Sequence, residues 1–90
     1  MYLVLYDIQD TPLRTRFAKF LTRYGVRLQY SVFQIVNSPR ILQNIKTEIQ
    51  TTFAKHFTQA DSVLIYAIPD DALAAKFGHP VNEDPDLIIL

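Results

Sequence analysis

Cysteine is absent from this chain of 90 residues, and glycine occurs only twice. Without cysteine the protein can form neither a disulfide framework nor a thiolate metal site. No apolar run reaches the 18 or so residues that indicate a membrane span. The first residues, MYLVLYD, lack the basic start and the small-residue cleavage site of a signal peptide. We therefore expect one small domain that is soluble and cytosolic.

Acidic and basic residues balance overall, nine against nine, but they are unevenly distributed. Residues 1–60 carry eight of the lysines and arginines and three of the acids, whereas residues 61–90 carry one lysine and six acids. The local charge of a surface decides where a polyanion docks. Zero net charge therefore does not exclude a nucleic-acid partner for the basic part of the chain.

The first half of the sequence predicts a strand and then a helix. The apolar segment MYLVLYDI predicts a strand that ends at Asp7. Thr11 is the predicted N-cap of the helix, Pro12 its first residue, and Gly25 its left-handed end. The apolar stripe of this helix consists of Leu13, Phe17, Phe20, Leu21 and Tyr24, and the opposite side carries Arg16, Lys19 and Arg23.

The second half adds further strands and a helix. Val26 to Val36 is rich in β-formers and predicts either one long bent strand or two short ones that meet near Tyr30 and Ser31. Ser38 and Pro39 open a second helix, and residues 62–68 predict another strand. Residues 69–78 are compatible with a short helix capped by Asp70. The apolar end, DLIIL, predicts a last strand with no partner in its own chain.

This order of elements predicts an α+β, ferredoxin-like βαββαβ sandwich with an extra C-terminal strand. We assign residues 1–78 to the domain and residues 79–90 to a C-terminal tail. The segments YLVLYDIQDTPLRTRFAKFLTRYG, RLQYSVFQI and DSVLIYAI resemble, in order and spacing, the family of CRISPR-associated protein two. The resemblance covers about residues 2–68, and the tail after Ile68 is poorly matched.

The resemblance implies a two-fold homodimer whose two sheets pack face to face, with the tail of one chain extending the sheet of the other. It implies a role in CRISPR adaptation, the acquisition of spacers, through one of two activities. One is a Mg²⁺-dependent endonuclease that hydrolyses phosphodiester bonds of RNA or DNA. The other is a non-catalytic scaffold that holds double-stranded DNA and bridges dimers of the integrase subunit, CRISPR-associated protein one.

The resemblance also implies roles for individual residues. The predicted catalytic residues are Asp7, Tyr6, Arg14 and Arg16, with Asp7 as the Mg²⁺ ligand. The nucleic-acid contacts that the resemblance implies are Arg14, Arg16, Arg27, Ser31 and Phe33. Lys19 and Arg23 are added because their helical spacing places them in one basic stripe with Arg16. The segment QIVNSP lacks a glycine that many family members have at this place.

Several of these residues have a structural alternative. Asp7 is either half of a metal site, completed by Asp7 of a second copy, or a turn residue at a strand end. Asp10 is a second ligand or, as we prefer, part of the helix start. Arg14 stands where a cation is unfavourable for the helix dipole, so we interpret it as a phosphate contact. Phe33 stacks on a base or, as we prefer, fills the core.

Two broader alternatives also remain open at this point. One is a toxin-type ribonuclease of related fold that acts alone, and the other is a ferredoxin-like dimer with no nucleic-acid role. Neither His56 nor His79 has the spacing to another histidine that a zinc site requires. Glu83, Asp84 and Asp86 are interpreted as an exposed turn.

Overall fold

The elements of this computed structural model follow the predicted order, and the structure describes residues 1–75, 77 and 78. There are four strands: β1 (Tyr2–Asp7), β2 (Gly25–Gln29), β3 (Val32–Ile35) and β4 (Ser62–Ala67). The helices are α1 (Thr11–Thr22) and α2 (Pro39–Glu48), and α2 continues into a π-helical turn (Ile49–Phe53) and a 3-10 turn (Ala54–His56). The protein is therefore an α+β domain.

One antiparallel sheet contains all four strands in the order β2-β3-β1-β4. The central strand β1 pairs with β3 on one side and with β4 on the other. Between β2 and β3 the chain turns at Tyr30 and Ser31, so the alternative of two short strands is the one observed. Each crossover through a helix joins strands that are separated by one other strand, which is the split βαβ arrangement.

Helix α1 begins one residue earlier than the sequence suggested. Asp10, not Thr11, is the N-cap: its Oδ2 accepts a hydrogen bond of 3.0 Å from the backbone N–H of Leu13. Thr11 is already helical, and Pro12 follows it within the first turn. The prediction of Thr11 as the cap is therefore wrong, while the assignment of Asp10 to the helix start is confirmed.

Gly25 does not cap α1 in the left-handed conformation, because the helix ends at Arg23 with ordinary helical angles. Gly25 instead begins β2, paired with Ile35. An ideal Cβ placed on Gly25 would overlap the main-chain carbonyl of Gln34 and lie 2.9 Å from the Cα of Ile35. This glycine is thus required by the close approach of two strands and not by a positive φ angle.

The spacing of apolar residues explains why α2 continues into a π-helical turn. Its apolar residues recur every fourth position, at Ile41, Ile45, Ile49, Phe53 and Phe57. With 3.6 residues per α-helical turn, each such step drifts by about 40° around the helix. The π turn at Ile49–Phe53 has more residues per turn and reduces this drift. Phe53 is buried as a result, and Phe57 packs against the core.

Both helices cover the same face of the sheet. Phe17 of α1 lies 5.0 Å from the ring of Tyr6 in β1 and 5.1 Å from the ring of Phe53, edge to face in both pairs. These two ring contacts connect the sheet and the two helical segments in one core. The opposite surface of the sheet, called here the outer face, carries Leu3, Leu5, Val32, Leu64 and Tyr66, and each of them keeps exposed area.

After β4 the chain does not form the short helix that was considered for residues 69–78. Residues 70 and 71 form a turn, and residues 72–75 have no regular structure. Leu73, Ala75 and Phe77 line a pocket together with Leu28, Gln29 and Val32 of the sheet. The predicted terminal strand and its pairing with a partner fall in residues 79–90, outside the described residues. No helix in the described part of the chain is long and apolar enough to span a bilayer.

Candidate functional site

Asp7 is the last residue of β1 and pairs with Ser62, the first residue of β4. Side chains alternate between the faces of a strand, and Val4, Tyr6 and Ile8 point into the core. Asp7 therefore belongs to the outer face, where its carboxylate is exposed. Asp7 is the first charged residue of β1, and it follows the apolar residues Leu3 and Leu5 on the same face.

The Asp7 carboxylate accepts a hydrogen bond from the loop that follows β1. The side-chain amide of Gln9 donates a hydrogen bond of 2.8 Å from Nε2 to Oδ1 of Asp7. Gln9 itself is held through its backbone N–H, which donates to Oδ1 of Asp61 at 2.9 Å. Asp61 thus joins the loop after β1 to the turn before β4.

Asp61 has a second set of hydrogen bonds within its own turn. Its Oδ2 accepts from the backbone N–H of Thr58 at 2.8 Å and from the Thr58 hydroxyl at 3.2 Å. The backbone N–H groups of Thr58 and Gln9 hold the pKa of Asp61 below its ordinary value of 3.8. The ionised form is therefore the one that organises both loops at neutral pH.

Arg14 supports the same loop from the first turn of α1. Its NH1 donates to the main-chain carbonyls of Ile8, at 2.8 Å, and Gln9, at 3.2 Å, and its NH2 donates to the Thr11 hydroxyl at 3.0 Å. These bonds account for a cation at a helix position where the dipole disfavours it. The role of Arg14 as a phosphate contact stays a prediction.

Basic side chains dominate the solvent side of the helical layer. Arg16, Lys19 and Arg23 on α1 are exposed, as the spacing of the sequence predicted. Arg40 and Lys46 are exposed on α2, and Glu48 is the one acid within α1 or α2. This surface faces away from the sheet and therefore away from the outer face that carries Asp7.

Tyr6 lies on the core side of β1, although it is adjacent to Asp7 in sequence. Its side chain is 5% exposed, and its hydroxyl donates to the main-chain oxygen of Tyr30 at 3.4 Å. NH2 of Arg27 approaches the same hydroxyl at 3.5 Å. Because neighbours in a strand point to opposite faces, the structure does not bring Tyr6 and Asp7 into one site.

Arg27 and Phe33 form a pair beside Tyr6. The guanidinium carbon of Arg27 lies 5.1 Å from the centre of the Phe33 ring, within range of a cation–π contact. Phe33 is fully buried, so in this arrangement it presents no surface on which a base could stack. Ser31 is half-buried in the β2–β3 turn, and its carbonyl accepts from the backbone N–H of Tyr6 at 3.1 Å.

The described residues of one chain offer a Mg²⁺ ion little more than the Asp7 carboxylate. Asp10 is occupied as a helix cap, and the described residues contain no cluster of three carboxylates or histidines. Mg²⁺ commonly keeps several waters and is bound by one or two carboxylates and substrate phosphates. The exposed Asp7, whose Oδ1 accepts from Gln9, fits that kind of site better than an all-protein cage.

Sequence reasoning missed Gln9 and Asp61. Their contact follows from the topology, because β4 runs antiparallel to β1 and its start therefore lies at the end of β1. The spacing of Thr58 and Asp61 was a further signal, since both residue types bind nearby backbone groups in turns. Neither signal stands out before the strand pairing is known.

Comparison with known proteins gives a consistent result. The family model described as CRISPR associated protein Cas2 matches residues 1–75. A CRISPR-associated endoribonuclease Cas2 of Thermodesulfovibrio yellowstonii is 35% identical, with 86% of this chain and 81% of the relative covered. A CRISPR-associated endoribonuclease Cas2 of Thermus thermophilus is 32% identical over 98% of this chain and 97% of its own length.

The structural comparison agrees with these relatives. The crystal structure of Streptococcus pyogenes Cas2 at pH 6.5 matches with a TM-score of 0.67 and 27% sequence identity. The match covers 87% of this chain and 98% of that protein.

Proposed function

Because the chain belongs to the family of CRISPR-associated protein Cas2, we propose that it is an endonuclease that hydrolyses phosphodiester bonds with Mg²⁺ held at Asp7. The observation that carries this proposal is the placement of Asp7, exposed at the end of β1 with one oxygen held by Gln9. The relatives named above are called endoribonucleases, so RNA is the first substrate to test. DNA is the second.

A homodimer would supply what one chain lacks. The outer face is apolar and partly exposed, with Leu64 at 52% and Tyr66 at 51%. Removal of such apolar area from water favours association. We propose that a second copy packs on this face, so that two Asp7 carboxylates come near one two-fold axis.

In this proposal, Asp7 would hold a Mg²⁺ ion, which would neutralise phosphate charge and activate a water molecule. The residues of the chain bind and orient. Asp7 holds the cation, Gln9 keeps the carboxylate turned, and Arg14 fixes the backbone of the loop between them. Arg16, Lys19 and Arg23 lie on the other side of the sheet, so they would raise the local concentration of nucleic acid and would not contact the phosphate at Asp7.

A second candidate function is supported by the basic helical layer. A non-catalytic scaffold for double-stranded DNA needs exposed cations more than it needs Asp7. Four of them lie on α1 and α2, and Arg23 follows at the C-terminal cap of α1. In that case the protein would bridge dimers of the integrase subunit during spacer acquisition in the prokaryotic cytoplasm. The two functions are compatible, because the basic layer and Asp7 occupy opposite sides of the sheet.

The test of the proposed function uses Asp7→Ala and, as a control with the same change elsewhere on the surface, Asp71→Ala. We expect Asp7→Ala to abolish Mg²⁺-dependent cleavage of RNA and to leave the melting temperature and the oligomeric state unchanged. Cleavage by Asp7→Ala at the wild-type rate would exclude the catalytic role. Loss of spacer integration in the same variant would show that Asp7 also matters beyond cleavage.

A further inference from the structure

We propose that Gln9 is the positioning residue for the Asp7 carboxylate, and that Asp61 acts on Asp7 through Gln9. This inference rests on the proposed function, because it concerns how Asp7 is presented to a divalent cation. The two acids are not in direct contact in the structure. Gln9 links them, because its side-chain amide binds Asp7 and its backbone N–H binds Asp61.

The first step of the argument is the bond between Gln9 and Asp7. A carboxylate can only accept, so the group of Gln9 that lies 2.8 Å from Oδ1 is the NH₂ end of its amide. The bond engages Oδ1 of the exposed carboxylate, and within the described residues the structure shows no hydrogen bond to Oδ2. A carboxylate fixed in this way offers one oxygen in a defined direction to an approaching cation.

The second step is that the main chain of Gln9 is held at both of its polar groups. Its N–H donates to Asp61 at 2.9 Å, and its carbonyl accepts from Arg14 at 3.2 Å. Arg14 also binds the preceding carbonyl, that of Ile8, at 2.8 Å. The loop after β1 is therefore clamped between an acid from the β4 turn and a base from α1.

The third step concerns energy. Gln9 is exposed, and an exposed hydrogen bond between two side chains contributes little to folding, because water competes for both partners. Holding the long side chain of Gln9 in one conformation also costs side-chain entropy. A contact of this kind has a small effect on stability, and its main consequence is the direction in which Asp7 points.

The experiment measures binding of Mn²⁺ alone by electron paramagnetic resonance, in the full chain and without nucleic acid. The variants are Gln9→Ala, Asp61→Ala, the two together, and Gln43→Ala as a control on the exposed side of α2. We expect Gln9→Ala to weaken Mn²⁺ binding about ten-fold, the lower end of outer-shell effects. Gln43→Ala should match the wild type, and Gln9→Ala should unfold at the wild-type temperature.

The double variant tests the order of the contacts. If Asp61 acts through Gln9, the double variant binds Mn²⁺ no more weakly than Gln9→Ala alone. The reason is that Gln9→Ala already removes the side-chain hydrogen bond to Asp7 through which Asp61 would act. Additive losses would overturn that part of the inference. In cleavage assays Gln9→Ala should lower kcat and leave KM for RNA unchanged, which a general loss of structure would not do.

Failure of this inference is distinguishable from failure of the proposed function. Wild-type Mn²⁺ binding by Gln9→Ala, together with loss of binding in Asp7→Ala, would overturn the role of Gln9 and keep that of Asp7. Undiminished binding in Asp7→Ala, or no binding by the wild-type protein, would overturn both.

Discussion

The main-chain carbonyl of Gln34 occupies the position where any residue other than glycine at position 25 would place its Cβ. Gly25 opens β2 and pairs with Ile35, so the overlap is with the neighbouring strand and not with a flexible side chain. The two strands approach as closely as they do only because position 25 has no side chain.

Gly25→Ala is therefore expected to destabilise the protein, since β2 and β3 must separate to admit one methyl group. We expect a loss of about 1–3 kcal/mol in the free energy of unfolding, as for other overpacked sites. Urea denaturation followed by circular dichroism measures it. Gly78→Ala is the comparison: Gly78 has a positive φ of 75° but open space around it, so only backbone strain acts there. A Gly25→Ala protein as stable as the wild type would contradict the proposed contact.

The stability of the protein should fall in acid through Asp61. The folded-state pKa of Asp61 lies below its ordinary value of 3.8 because the backbone N–H groups of Thr58 and Gln9 favour the ionised form. Its stabilising effect is thus complete above about pH 4 and is lost as the pH falls through the lowered pKa. Asp61→Asn should flatten the acid limb of a plot of melting temperature against pH. An unchanged limb would show that other carboxylates determine it.

Leu64→Glu tests the outer face as a dimer surface. Leu64 is 52% exposed in one chain, so a glutamate there is compatible with the fold but would place a charge in a buried contact between two copies. Analytical ultracentrifugation should find a dimer for the wild type and a monomer for Leu64→Glu. Gln43→Glu, which adds the same charge on α2, should remain a dimer. Equal masses for wild type and Leu64→Glu would place the dimer contact elsewhere.

Lys19→Gln with Arg23→Gln tests the basic side of α1. Removal of two phosphate contacts should weaken binding to duplex DNA and reduce the slope of log affinity against log salt by about two. Arg40→Gln with Lys46→Gln removes the same charge from α2 and is the matched control. A larger loss of DNA affinity in the α1 variant than in the α2 variant would support a specific DNA-binding surface along α1. Equal effects of the two pairs would indicate a general attraction to the basic layer.

The sequence predicted the elements that depend on local patterns. The Ser38–Pro39 start of α2 is confirmed, with the Ser38 hydroxyl accepting from the N–H of Ile41 at 3.2 Å. The strand ending at Asp7 is confirmed as well. These features are set by residues close together in the chain, where capping, periodicity and turn chemistry act.

The sequence failed where a distant segment determines the outcome. A glycine that follows the apolar stripe of a helix is typical of a helix end. At position 25, however, the glycine is required by the main-chain carbonyl of Gln34 in the neighbouring strand. Likewise, the link from Asp61 to Gln9 joins residues 52 positions apart. Arg14 was singled out correctly as badly placed for its helix, yet the carbonyls that account for it belong to the loop before that helix.

The π turn at Ile49–Phe53 has a consequence for the length of the chain. A turn of this kind contains one residue more than the α-helical turn it replaces. Loss of one residue there would convert it to an α turn, with Ile45 and Phe53 still able to face the core. The end of this helix is therefore a place where proteins of the same fold can differ by one residue without any change in the sheet.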